Sequence, residues 1–132
     1  MLRAAIAAVC LLTLFAACGD GDEEAAGGGA APAADLTVTV RPEGPEGPVR
    51  ERRIECERLG AGAEPAVCRR LSAARLAPVP EKTACTSIYG GPAVARVTGT
   101  LRGEAVDARF DLTNGCEIER WKRNGELLGD VR

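Results

Sequence analysis

Apolar and polar positions alternate cleanly in two stretches of the chain, and this alternation sets the first expectations. Leu36-Thr37-Val38-Thr39-Val40 reads as a strand with Leu36, Val38 and Val40 turned inward. Ala93 to Leu101 is a second such stretch, with Ala95, Val97 and Leu101 on one face. Arg102-Gly103 then signals a two-residue turn, and Glu104 to Asp111 returns with Val106, Ala108 and Phe110 inward. Between these stretches the pattern is mixed. Pro42 to Pro48 is a Pro/Gly-rich turn or loop. Val49 to Cys56 fits a strand with Arg50, Arg52, Ile54 and Cys56 on one face, although its charges obscure the period. After a Gly-bearing loop from Leu59 to Glu64, Pro65 suits the first turn of a helix. Val67, Cys68, Leu71, Ala74 and Arg75 follow at helical offsets until Pro78 ends the run. Cys116 to Arg123 predicts another short helix, with Ile118 and Trp121 sharing its buried face. The tail from Glu126 to Arg132 is open to two readings, a short edge strand or fraying. Strands with helices to one side predict an α+β two-layer sandwich: an antiparallel sheet of about five strands with two short helices on one face.

Ahead of these elements lies a targeting segment. Arg3, the apolar run from Ala4 to Ala17 and the small pair Ala16-Ala17 read as a signal peptide over residues 1–17. That run is too short for a comfortable membrane span. Cys18 follows directly, and Leu14-Phe15-Ala16-Ala17-Cys18 resembles a bacterial lipobox, in which the cysteine is lipidated and becomes the new N-terminus. The alternative is ordinary secretion with cleavage after Ala17. Residues 18–34 then form an acidic, Gly/Ala-rich tether, and residues 35–132 the folded domain. The expected location is the outer face of the bacterial cytoplasmic membrane, held by the lipid, or free secretion.

Composition narrows the function. From Asp35 onward there are 16 basic and 15 acidic residues, a balance that gives no argument for nucleic-acid binding. The aromatics are only Phe15, Tyr89, Phe110 and Trp121, so the core must be aliphatic, and a core that small calls for covalent staples. There is no histidine, which excludes a Ser-His-Asp or Cys-His nucleophile and a His-ligated metal. Glu117 and Glu119 cannot share a helix face, which argues against a paired-carboxylate enzyme. The chain is therefore not read as an enzyme, and no cofactor or metal is implied. Cys10 lies in the leader and Cys18 is the proposed lipid site, leaving Cys56, Cys68, Cys85 and Cys116. An even count in an exported chain reads as disulfides, and no pair has the Cys-x-x-Cys spacing of a zinc site. Three pairings remain open on sequence alone.

One stretch carries a resemblance. Cys85-Thr86-Ser87-Ile88-Tyr89-Gly90-Gly91-Pro92, a hairpin, and then Thr113-Asn114-Gly115-Cys116-Glu117-Ile118-Glu119-Arg120-Trp121 resemble the reactive-site half of the Streptomyces subtilisin inhibitor family. The likeness runs from about Leu36 to Trp121 and is specific from Cys85 onward. It implies the pairings Cys56–Cys68 and Cys85–Cys116. It also implies a reactive bond Ser87–Ile88, flanked by Thr86 and Tyr89, with the Asn114 side chain hydrogen-bonding the loop backbone from below. Such a loop binds a subtilisin-like serine protease as a substrate would, yet is cut slowly, because its ordering entropy is spent at folding. This chain has Thr86 where the family often has proline, and Gly90-Gly91-Pro92 is one residue longer than the family's usual Asp-Pro step. The implied function is an exported, surface-tethered protease inhibitor that meets the membrane only through its lipid. Family members often dimerise through the sheet, so a homodimer is an expectation too, although no apolar patch in the sequence calls for one. The alternative is a non-inhibitory envelope lipoprotein that uses the same fold as a protein- or ligand-binding module.

Overall fold

The computed structural model describes residues 30–130. The proposed signal peptide, Cys18 and most of the tether lie outside the described residues. Strands β1 (Ala34–Arg41), β2 (Arg50–Cys56), β3 (Val94–Leu101) and β4 (Glu104–Phe110) form one antiparallel sheet in the order β2-β1-β3-β4. Helices α1 (Ala66–Arg70) and α2 (Ala73–Leu76) lie between β2 and β3, and α3 (Gly115–Arg123) and α4 (Gly125–Leu128) follow β4. The class is α+β with two disulfides, as expected, but the sheet has four strands.

The alternating stretches became strands because each presents one apolar face. In β1, Ala34, Leu36, Val38 and Val40 are buried while the residues between them are half-exposed. The strand begins at Ala34, one residue inside the stretch read as tether, and Ala33 O accepts a hydrogen bond from Arg102 N. On β3, Ala95, Val97 and Leu101 are buried, and on β4, Ala108 and Phe110. The β3–β4 turn is as expected: Arg102 and Gly103 both have positive φ (53° and 82°), the geometry of the mirror-image turns that match strand twist. On β2, Ile54 and Cys56 reach the core. Arg52, on the same face, donates through Nε and Nη2 to the carbonyls of Leu127 and Glu126. These are last-turn carbonyls of α4, which have no partner within that helix.

Three expectations need correction. The single helix expected from Pro65 is broken at Leu71, whose ψ of 127° is extended, and Ser72 starts a new turn by accepting from Arg75 N through its side chain. The break turns Leu71 and Leu76 into the core, whereas Ala74 stays exposed. The tail contributes a helix, α4, and not an edge strand. Leu127 and Leu128 are consecutive and both buried, which a period of two cannot accommodate. Loss of that fifth strand, and the split of α1 from α2, account for four strands and four short helices where about five and two were expected.

The core gathers Leu36, Val38, Val97 and Phe110 from the sheet with Leu71, Leu76, Trp121, Leu127 and Leu128 from the helices. Arg120 is buried among them at 3% exposure. Its guanidinium lies 4.0 Å over the Phe110 ring and donates to Arg109 O (2.6 Å), Leu76 O (2.7 Å) and the Glu117 carboxylate (3.0 Å). Asn124, also buried, donates to Arg75 O and Arg120 O, so the ends of α2 and α3 are tied through side chains. The other face of the sheet is polar. Arg53 grips Asp35 with two bonds (2.7 and 2.6 Å), and Arg96 grips Asp107 likewise (2.8 and 2.7 Å). The guanidinium hydrogen bond holds each carboxyl below its ordinary value. Both pairs are exposed and add little to stability.

Both disulfides have the pairing that the resemblance implied. Cys56–Cys68 joins the end of β2 to α1, and Cys85–Cys116 joins the segment before β3 to the first turn of α3, with Cα separations of 5.8 and 5.4 Å. They fit an extracellular or otherwise oxidising location. No helix among the described residues is long and apolar enough to cross a membrane.

Candidate functional site

Pro78-Val79-Pro80 ends the α2 region and leads into an irregular segment that runs to β3. Its exposed part is held at two points. Before Ser87, Cys85 is bonded to Cys116, and Gly115 N donates to Thr86 O at 2.9 Å. After Tyr89, Gly90 N donates to Leu112 O at 2.8 Å. Only Ser87, Ile88 and Tyr89 lie between the two ties. All three are exposed, Ile88 at 57% and Tyr89 at 67%.

Two glycines make this seating close. A Cβ on Gly115 would collide with Thr86 Oγ1, and a Cβ on Gly90 would lie 2.9 Å from Ile118 Cγ1 and 3.1 Å from Leu112 Cβ. The loop thus rests directly on α3 and on the residues before it. That platform is itself constrained: Asp111 Oδ1 accepts from both Thr113 N and Thr113 Oγ1, fixing the turn into the helix. Gly115→Ala should therefore unseat the loop and destabilise the fold by about 1–3 kcal/mol. Thr86→Ala in the same chain should restore most of that loss. A double-mutant cycle by urea denaturation checks the coupling. A harmless Gly115→Ala would show that Thr86 can simply turn away.

Asn114 lies beneath the loop, as the resemblance implied, but its side-chain oxygen is engaged by the helix and not by the loop backbone. Its Oδ1 accepts from Glu117 N at 3.1 Å, capping α3, and among the described residues the loop backbone is met from this side by Gly115 N. The reason is local. Asparagine followed three residues later by glutamate is a helix-start signal, and the extended backbone at Asn114 (φ −154°, ψ 172°) suits an N-cap. That signal is carried by the sequence itself. The parts of Gly90, Leu112 and Ile118 are not, since spacing alone does not show which segment a glycine lies against.

Of the residues expected at the site, Cys85, Thr86, Ser87, Ile88, Tyr89 and Cys116 are brought together, with Asn114 beneath them as a helix cap. Cys56 and Cys68 belong to the other bridge. Among the described residues no cluster of His, Cys, Asp and Glu is placed to hold a metal ion. Val49 is also exposed, and it lies on the β1–β2 connection at the same end of the sheet as the entry to β3. That same connection is tied to the segment before β3, with Gly44 lying against Pro92. What the arrangement offers chemically is a short, apolar-tipped peptide held at both ends, with an open concavity of about 540 Å³ between Ser87–Tyr89 and Thr113, Asn114 and Glu117. The chain matches no family model, no curated protein and no solved structure.

Proposed function

We propose that this protein is an exported inhibitor of subtilisin-like serine proteases that acts through Ser87–Ile88, on a two-layer domain tethered at the membrane surface by a lipid on Cys18. One observation carries the reading: three exposed residues, Ser87 to Tyr89, are spanned between a disulfide-backed tie at Thr86 and a backbone tie at Gly90. A segment held in this way loses little freedom on binding, and its cut ends would remain in place for religation. The small side chain of Ser87 gives no cation for a trypsin-like pocket and suits proteases that accept small or apolar residues.

The reading is tested with a soluble form beginning at Ala30, which keeps the whole of β1. It should slow subtilisin or an elastase-like protease more than trypsin. Ser87→Leu should tighten subtilisin binding about tenfold, near 1.4 kcal/mol, by filling the primary pocket. Ser87→Lys should shift preference toward trypsin. If neither the parent nor Ser87→Leu inhibits or is cut at Ser87–Ile88, the same loop is better read as the docking tip of a binding module. The anchor has its own test in a bacterial host: partition into detergent should be lost in Cys18→Ser, and equal partition of both forms would mean ordinary secretion.

A further inference from the structure

The chain has two asparagines, and each is followed by glycine: Asn114–Gly115 and Asn124–Gly125. This dipeptide has chemistry of its own. The unhindered glycine nitrogen attacks the asparagine side-chain carbonyl carbon, a C–N bond forms, ammonia leaves, and a five-membered succinimide results. Water then opens that ring at either carbonyl, giving aspartate or isoaspartate. Ring closure needs a free glycine nitrogen, a side chain that can turn, and rotation of the asparagine backbone away from the extended form.

At Asn114 the seated loop and the helix cap together oppose all three. Gly115 N donates to Thr86 O at 2.9 Å, Asn114 Oδ1 is held by Glu117 N at 3.1 Å, and ψ is 172°. Rotation toward the ring would pull Gly115 N off Thr86 and break the helix cap. The glycine is demanded by the loop, because a Cβ there would strike Thr86. Asparagine is not demanded in the same way, since serine or aspartate would cap the helix as well. Asn124 is protected differently: it is 4% exposed, and its Nδ2 donates to Arg75 O (3.0 Å) and Arg120 O (2.9 Å) in the core.

We propose that Asn114 is a modification site gated by the loop. While Thr86 is seated, its amide is inert. When the loop is released, by exchange of Cys85–Cys116 with two equivalents of an external thiol, which leaves as its own disulfide, or by hydrolysis of a loop peptide bond by a protease, Asn114 converts to isoaspartate. The extra backbone carbon then displaces Gly115 and the cap, so the loop cannot reseat, and a reversible release becomes permanent. This holds whatever the loop binds.

The test is peptide mapping by mass spectrometry of the purified protein held in mildly alkaline buffer. It compares the native form with Cys85→Ala/Cys116→Ala and with Gly90→Leu, which keeps both disulfides but pries up the second tie. In the native protein both asparagines should keep their amides. In both variants Asn114 should convert at least about tenfold faster, with isoaspartate as a product, while Asn124 stays unchanged. Conversion of Asn114 in the native form at the variants' rate overturns the proposal. So does an Asn114 that stays inert in both variants, or a parallel rise at Asn114 and Asn124 in both, which would place the protection in the whole fold and not in the loop.

Discussion

Arg120→Ala should cost about 3–5 kcal/mol of unfolding free energy, a large share of the roughly 5–15 kcal/mol that holds a domain together. Arg120 is a charged residue in the centre of the core. Its guanidinium joins α3 to the carbonyl of Leu76 at the end of α2, to that of Arg109 on β4, and to Glu117 one turn back. Truncation would leave one buried carbonyl, one partly buried carbonyl and a partly buried carboxylate without their donor, and would open a space beneath Phe110. Arg120→Met separates the two parts of the loss: it keeps apolar contact with Phe110 but supplies no donors, so it should cost less than alanine. Arg120→Lys should also fall short, because one ammonium cannot reproduce the planar fork that reaches several acceptors. Among the described residues Nε of Arg120 meets no acceptor, so its pairing there is incomplete. Urea denaturation followed by Trp121 fluorescence measures the series. An alanine variant within 1 kcal/mol or so of the parent would mean that the charge is held at no net gain, as continuum arguments allow for buried ion pairs.

Removal of Cys85–Cys116 should have the second-largest effect, in two separable parts. The bridge closes 31 residues, for which chain entropy gives about 4 kcal/mol, against about 3 kcal/mol for the 12 residues closed by Cys56–Cys68. Cys85→Ala/Cys116→Ala and Cys56→Ala/Cys68→Ala should therefore differ little in global stability. They should differ sharply at the loop. Without Cys85–Cys116 the first tie is reduced to the hydrogen bond from Gly115 N to Thr86 O, so proteolysis between Thr86 and Gly90 should accelerate while the sheet persists. The other variant should keep the parent's slow cleavage there. Limited proteolysis with mass mapping, beside denaturation curves, checks both. Equal cleavage in the two variants would show that the loop is rigid through its glycine contacts alone.

How much of this could be read beforehand depended on whether the signal was local. The strand alternation of β1 and of the β3–β4 hairpin was legible because a half-buried strand shows its partner-facing side in the order of its own residues. Arg102-Gly103 was legible for the same reason, since the turn conformation is a property of those two residues. The disulfide pairing was not local. Three pairings were open, and only the resemblance selected the one found. The break at Leu71 and the helix at Leu127 were not legible, because short apolar runs do not announce their period. Packing settled them: Leu71, Leu76, Leu127 and Leu128 all turn inward only if the chain breaks at Ser72 and coils again after Asn124.

By itself, then, the sequence determined an exported-looking, disulfide-bearing α+β chain with an exposed Ser-Ile-Tyr segment beside a half-cystine, because alternation, turn residues and cysteine count are each carried by neighbouring positions. Only the tertiary structure decided the rest. That Gly115 and Gly90 are contact surfaces follows from what lies across from them, Thr86 in one case and Ile118 with Leu112 in the other. That Asn114 caps α3 and leaves the loop to Gly115 follows from where the helix begins. That Arg120 is core and not surface follows from three acceptors and one aromatic ring, drawn from α2, β4 and α3, meeting at its tip. A side chain's partners come from distant parts of the chain, and their convergence is settled by packing, which no local pattern encodes.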